Sequence, residues 1–252
     1  MAALESRSKE LSALFNNRCN AQTLELPWPQ TLNDGGDASV GSVAALLLAG
    51  STSGVVVEDQ SAMHVMRLVY REAFRSAAFR GPMGPALAAL VGKWVLKNDE
   101  GARAPQSLRM ATDYELPETV DLAKALLAKP NLPTSICVQA LVALGQFGDV
   151  DDLPFLEARL ADTRVLDDSR QRASKTPRQR PPVEIRHVAL AIAVRMTNQS
   201  VRSYGFDRLE VDGRLFRAVV PGAFSFADEA RRDAAFKRWE DWSRNRGGAA
   251  IQ

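Results

Sequence analysis

Residues 136–162 read ICVQALVALGQFGDVDDLPFLEARLAD, and this stretch decides the fold. Its first half carries Ile136, Cys137, Val138, Ala140, Leu141, Val142 and Leu144, leaving almost no polar face. A helix of that kind must be buried between neighbours. Gly145 and Gly148 then let the chain leave the helix, and Asp149, Asp151 or Asp152 can accept hydrogen bonds from the free N–H groups that open the next one. Leu153, Leu156 and Leu160 follow at helical steps, which gives a second, amphipathic helix and hence a helical hairpin. One hairpin cannot bury its own apolar face, so others must stack on it.

The flanking sequence supplies them. Glu58 to Phe79 reads as one helix with Met63, Met66, Tyr70, Ala73 and Ala77 on its apolar stripe. Gly81, Pro82, Gly84 and Pro85 end it and permit a reversal. Ala86 to Lys97 follows as a helix that buries Leu87, Leu90, Val91 and Trp94. Pro117 opens a further helix, since a first turn does not need the N–H that proline lacks. Its stripe is Val120, Ala123 and Leu127, and Lys129-Pro130 ends it. Ile185, Val188, Ala189, Ile192, Ala193 and Met196 form the cleanest stripe in the chain.

Between the hairpin and that stripe lies an insertion, Thr163 to Pro182, with prolines at 177, 181 and 182 that disfavour a packed helix. Beyond Tyr204 the pattern turns irregular. Asp212-Gly213 predicts a small hairpin, and Ser225 with Asp228 predicts a capping box for a last helix, Phe226 to Ser243, whose buried face is Ala235, Trp239 and Trp242. At the other end, Ala2 to Phe15 reads as a short polar helix, and Pro27, Pro29, Gly35 and Gly36 mark a loop. The expected organisation is an N-terminal helix and linker over residues 1–39 and one helical domain over 40–252.

The chain has 252 residues, 46% hydrophobic and 25% charged, the composition of a globular protein. Its 32 basic and 30 acidic residues leave a net charge of +2, so no global field draws it to nucleic acid or anionic lipid. Electrostatic binding must therefore be local. Charges at Glu5, Arg7, Lys9 and Glu10 interrupt the apolar core a signal peptide needs, and the longest apolar run, Val43 to Ala49, falls short of the roughly 20 residues of a membrane span. The expectation is cytoplasmic residence, provided that Met1 is the native start. Cys19 and Cys137 lie far apart without His or Cys at ligand spacing.

Three wordings carry a family resemblance: QALVALGQFGDVDDLPFLEARLADTRV (139–165), EIRHVALAIAVRMTNQSVRSYGF (184–206) and FADEARRDAAFKRWEDW (226–242). They resemble a group of bacterial HEAT-repeat domain proteins that share an ALxxLGxFG turn, an xVALA helix, a YGF exit and a terminal helix with paired tryptophans. The resemblance covers Val40 to Asn245 and implies an all-α fold, an α-solenoid of HEAT-like hairpins with an irregular C-terminal segment and a capping helix. HEAT arrays hold partners on an exposed face of stacked helices. This chain departs from a regular array in its uneven period, in the insertion that splits one hairpin, and in its partly non-helical C-terminal part.

Two elements are candidates for partner contact. His64, Arg67, Arg71 and Arg75 would line one side of the Glu58–Phe79 helix, where guanidinium groups can hold carboxylates or phosphates bidentately. Solvation of an outer helix face explains the same spacing. The insertion places Arg170, Arg172, Lys175, Arg178 and Arg180 in eleven positions, with Ser169, Ser174 and Thr176 between them. Acidic protein, RNA or a membrane surface would suit it, and so would plain solvation. It has no aromatic residue of the kind that stacks on bases.

The remaining chemistry-bearing residues read as structural. The Asp149–Asp152 run lacks the central glycine and closing glutamate of a calcium loop, so it reads as a helix cap. His187 lies opposite the Val188–Ile192 stripe and reads as a surface histidine. Cys137, on an apolar stripe, reads as a buried and unreactive thiol. The expectation is a non-enzymatic scaffold, with no catalytic residue, cofactor or metal, that mediates protein–protein interaction. The alternative is a HEAT-like protein that binds nucleic acid through a basic face.

Overall fold

The computed structural model describes residues 12, 13, 16, 39–98, 103–166, 181–212, 215–216 and 221–249. The described chain is predominantly helical and divides into two compact units, Met1–Glu118 and Thr119–Gln252. Most of the linker expected ahead of residue 40 lies outside the described residues.

In the first unit, α1 (Val40–Ser51) starts where the Ser39 side chain accepts the Ser42 N–H at 3.1 Å, and it buries Val43 and Leu47. The predicted Glu58–Phe79 helix is two helices, α2 (Asp59–Val69) and α3 (Glu72–Arg80). Arg71 between them has extended backbone (φ −68°, ψ 145°). No proline or glycine breaks the run; a long-range contact does. The Tyr114 hydroxyl donates to the Val69 carbonyl at 2.5 Å, and the Tyr70 hydroxyl donates to Asp113 at 2.7 Å. The predicted stripe is also rotated: Ala62, Val65, Leu68 and Val69 are buried, whereas Met63 is 41% exposed.

Helix α4 (Gly84–Lys97) has Pro85 in its first turn and packs against α1 and α3. Leu87, Val91, Trp94 and Val95 are buried as its core face, while Leu90 is half-buried. It also packs against α5 (Ala104–Asp113), a helix the sequence reading left unassigned. That helix is tied down by Ser107 Oγ, which donates to the Asn98 carbonyl at 2.6 Å, and by Arg103 Nη1, which donates to Asn98 Oδ1 and the Val57 carbonyl. Near the chain start, Asn16 Nδ2 donates to the Val56 carbonyl and Ser12 Oγ accepts the Val56 N–H. Residues ahead of the predicted linker thus dock on the 55–58 segment.

Helix α5 ends with Glu115 at φ 51°, and the Leu116 N–H reaches back to the Ala111 carbonyl at 2.9 Å. This six-to-one bond around a left-handed residue is a Schellman motif, in which glycine avoids the Cβ strain. Glu115→Gly is therefore expected to raise stability by about 0.5–1 kcal/mol. Urea unfolding of the two proteins side by side checks this, and a lower midpoint for the glycine variant would count against it.

The second unit begins with α6 (Thr119–Leu127) and α7 (Thr134–Phe147), which pack on each other. Cys137, Ala140, Leu141 and Leu144 of α7 are fully buried, as the sequence requires. The acidic run does cap: the Asp149 side chain accepts the Asp151 N–H at 2.9 Å, and Asp152 Oδ2 accepts the Asp149 N–H at 3.1 Å. Buried Asp152 also pairs with Lys124, whose pKa is raised first by that hydrogen bond. The helix it introduces, α8 (Leu153–Glu157), is shorter than predicted, and residues 158–161 continue in turns. There Arg159 donates to the Leu127 carbonyl and Arg164 to the Leu132 carbonyl, so these side chains hold the chain where helix would otherwise continue.

The insertion is closed by a stem. Val165 and Glu184 form an antiparallel bridge, the Leu166 N–H donates to the Val183 carbonyl at 2.8 Å, and the Ile185 N–H donates to the Arg164 carbonyl at 3.0 Å. Helix α9 (Ile185–Met196) follows and is the centre of the unit, packed by α7, α8 and the last helix, α10 (Glu229–Ala249). Two short strands, β1 (Val211–Asp212) and β2 (Leu215–Phe216), pair antiparallel with Val211 opposite Phe216, and Gly213 of the predicted turn lies outside the described residues. Helix α10 is capped by Asp228, whose side chain accepts the Arg231 N–H at 2.8 Å. The predicted Ser225 cap does not form, because the helix starts at Glu229, three residues later than predicted, and Asp228 takes the capping position; the Ser225 hydroxyl donates to the Gly222 carbonyl. Ala235 and Trp239 are buried, Trp242 half-buried, and the two indole centroids lie 4.8 Å apart.

Candidate functional site

The predicted arginine row does not lie on one helix. His64 and Arg67 are on α2, Arg71 occupies the break, and Arg75 is on α3 with its guanidinium 5.8 Å from the Phe79 ring centroid. Burial lowers the His64 pKa first, and the charges of Arg67 and Arg71 lower it further. Those three therefore share a positive field. Arg75 belongs elsewhere, to a cleft of about 380 Å³ lined also by Arg80, Glu72, Asp113 and Glu115. Acids outnumber bases among those residues, so Arg75 does not extend a purely cationic surface. The insertion residues Arg170, Arg172, Lys175, Arg178 and Arg180 lie outside the described residues.

His187 is not at the surface. It is 1% exposed, and every residue from His187 to Val194 is buried. Its Nδ1 accepts the Glu184 N–H at 3.2 Å, which makes the imidazole a helix cap and leaves the ring proton on Nε2. Nε2 is buried and has no acceptor among the described residues. The ring instead meets Phe226 edge-on, with centroids 5.1 Å apart and planes at 89°. Burial first, then the charges of Arg186 and Arg232, push its pKa down to about 3. The Arg186 guanidinium pairs with Glu184 at 2.6 Å, so the Glu184 carboxylate answers the arginine and not the imidazole. The surface assignment failed because Phe226 and α10 cover this face, and no local pattern reports that.

A cleft of the second unit forms where α9 ends. Asn198 takes φ 58°, and the Gln199 N–H bonds back to the Val194 carbonyl at 2.9 Å, closing a Schellman motif that turns the chain sharply after Arg195. The opening, about 630 Å³, is lined by Arg195, Gln199, Ser200, Arg202, Leu209 and Glu210. Gln199 is fixed: its Nε2 donates to Thr197 Oγ1 at 3.0 Å and its Oε1 accepts the Tyr204 hydroxyl at 2.7 Å. Arg238 covers the Tyr204 ring at 4.9 Å and donates to the Ser203 carbonyl. The Arg195 Nε is buried and has no hydrogen-bond partner among the described residues. Among the described residues no carboxylate lies within ion-pair distance of Arg195 or Arg202. Sequence reasoning passed over these arginines, since they sit in different elements and only the turn at Asn198 brings them together.

Cys137 is fully buried, and burial pushes its thiol pKa up, so it is poorly suited to nucleophilic chemistry. Among the described residues there is no group of three or more His, Cys, Asp or Glu placed to hold a metal ion, and no helix is long and apolar enough to cross a membrane. Comparison with protein-family models, curated proteins and solved structures finds no match for this chain.

Proposed function

We propose that this chain is a non-enzymatic helical-repeat scaffold, a HEAT-like α-solenoid that mediates protein–protein interaction. The observation that carries the reading is the burial of α7 and α9, whose side chains are taken up by neighbouring elements over most of their circumference. Inner helices of this kind fit a stacked array in which each layer hides the apolar face of the next. A frame so filled presents its outer side chains in fixed positions, so little conformational entropy is lost when a partner docks. The partner the surface suits is acidic: Arg67 is exposed, and it and Arg71 add their charges to the field at His64.

Affinity capture from the source cell after nuclease treatment tests this. Intact protein is expected to retain a partner protein, and recovery should fall several-fold both for a variant lacking Ser169–Pro182 and for Arg67→Gln/Arg71→Gln/Arg75→Gln. If the protein instead holds DNA or RNA at low salt and releases it steeply as salt rises, it is a nucleic-acid binder and the scaffold reading fails.

A further inference from the structure

The cleft at the end of α9 carries a more specific reading. We infer that it is a carboxylate-binding site, and that its natural occupant is an acidic side chain or C-terminal carboxylate of a bound peptide segment. The second half of that statement rests on the scaffold reading; the first does not.

Arg195 and Arg202 line the opening together with Glu210, and among the described residues neither arginine has a carboxylate at ion-pair distance. The Arg195 Nε is buried with no acceptor among the described residues, so no internal hydrogen bond at that nitrogen spends the guanidinium, and its charge is left to an anion in the opening. The charge of the lining chooses the anion. Two guanidinium charges less the Glu210 carboxylate leave a formal +1. A carboxylate brings this to zero, whereas a phosphate dianion would leave excess negative charge beside Glu210. Leu209 in the same wall offers apolar contact to the methylenes of a glutamate or the side chain of a terminal residue. Geometry is preset, because the Asn198 turn and the Thr197–Gln199–Tyr204 chain of hydrogen bonds fix the backbone that carries the site. Ser200 at the rim adds a neutral hydroxyl donor.

The experiment is a titration of the full chain, by calorimetry at low salt, with four probes: a capped hexaglutamate peptide, its hexaglutamine counterpart, acetate and inorganic phosphate. Hexaglutamate is expected to bind and hexaglutamine not, with acetate weaker than the peptide and phosphate weaker than acetate. Arg202→Gln should weaken hexaglutamate about tenfold, the loss expected for one charge-assisted bond. Arg195→Lys, which keeps the charge and the buried stem but lacks the fork, should weaken it by a similar factor and guards against a folding defect in Arg195→Gln. Lys237→Gln, on the exposed face of α10, serves as the unaffected control. Glu210→Gln should narrow or reverse the preference for acetate over phosphate. Equal binding of the glutamate and glutamine peptides, tighter binding of phosphate than acetate in the native protein, or indifference to both arginine variants overturns the carboxylate site. If acetate binds through both arginines and hexaglutamate does not, the carboxylate site stands, its occupant is a free organic acid, and it is the scaffold reading that loses.

Discussion

Alanine at position 145 is expected to destabilise the second unit by about 2–3 kcal/mol, the usual penalty for forcing extra volume into a filled core. A Cβ added to Gly145 would stand 2.6 Å from Ile192 Cγ2, far inside contact distance. Ile192 is fully buried, and its β-branched side chain has few rotamers in a helix by which to withdraw the methyl. The competing effect is that alanine favours helix over glycine by about 1 kcal/mol. Strain should outweigh that gain, because relief requires α7 and α9 to move apart along their shared face. Urea unfolding followed by far-ultraviolet circular dichroism measures the loss. Pairing the change with Ile192→Ala removes the clashing methyl, so the double variant should be more stable than the sum of the two single losses predicts. A neutral or stabilising Gly145→Ala would show that the two helices are not in tight apposition.

Acid is expected to undermine the second unit through His187. The unfolded imidazole titrates near 6.5 and the folded one near 3, so the unfolded chain takes up the proton first. Stability from this group is complete above pH 6.5 and falls as pH drops from 6.5 toward 3. By linkage about 2 kcal/mol is gone at pH 5 and up to about 4 kcal/mol as pH approaches 3. The surroundings give the proton no help: Arg186 and Arg232 repel it, and Glu184 is engaged with Arg186. Glutamine at 187 can still accept the Glu184 N–H as a capping residue and carries no titrating charge. His187→Gln should therefore flatten the stability profile between pH 7 and 5, above the range where carboxylates dominate. An unchanged slope in the variant would assign the acid sensitivity to other groups.

The local layer of the structure was legible because it is written in local terms. The burial of Cys137, Val138 and Ala140–Leu144, the acidic cap after Gly148, a helix start two residues after Pro117 and the pairing of Val211–Asp212 with Leu215–Phe216 depend on residues within a few positions of one another. What the sequence hid was set by distant contacts. Tyr114 and Asp113 split the expected long helix at Tyr70–Arg71 from more than forty positions away, and with it the arginine row. Phe226 and Phe236 enclose a face of α9 that periodicity marks as polar. The Arg195–Arg202 cleft depends on one left-handed asparagine, Asn198, which signals a helix end but does not report which side chains the turn brings together. Ala104–Asp113 was missed for a related reason: its anchors, Asn98 and Val57, lie outside it.

The stem formed by Val165 and Glu184 has a bearing on how this chain can change over evolutionary time. Because strand-like pairing ties the two flanks, residues 163–166 and 183–186 hold their spacing whatever number of residues lies between them. Closing a longer loop costs only about 0.6 kcal/mol per doubling of its length. The gap between α8 and α9 is thus a socket: its content can be rewritten for a new recognition task while the helices on either side keep their register.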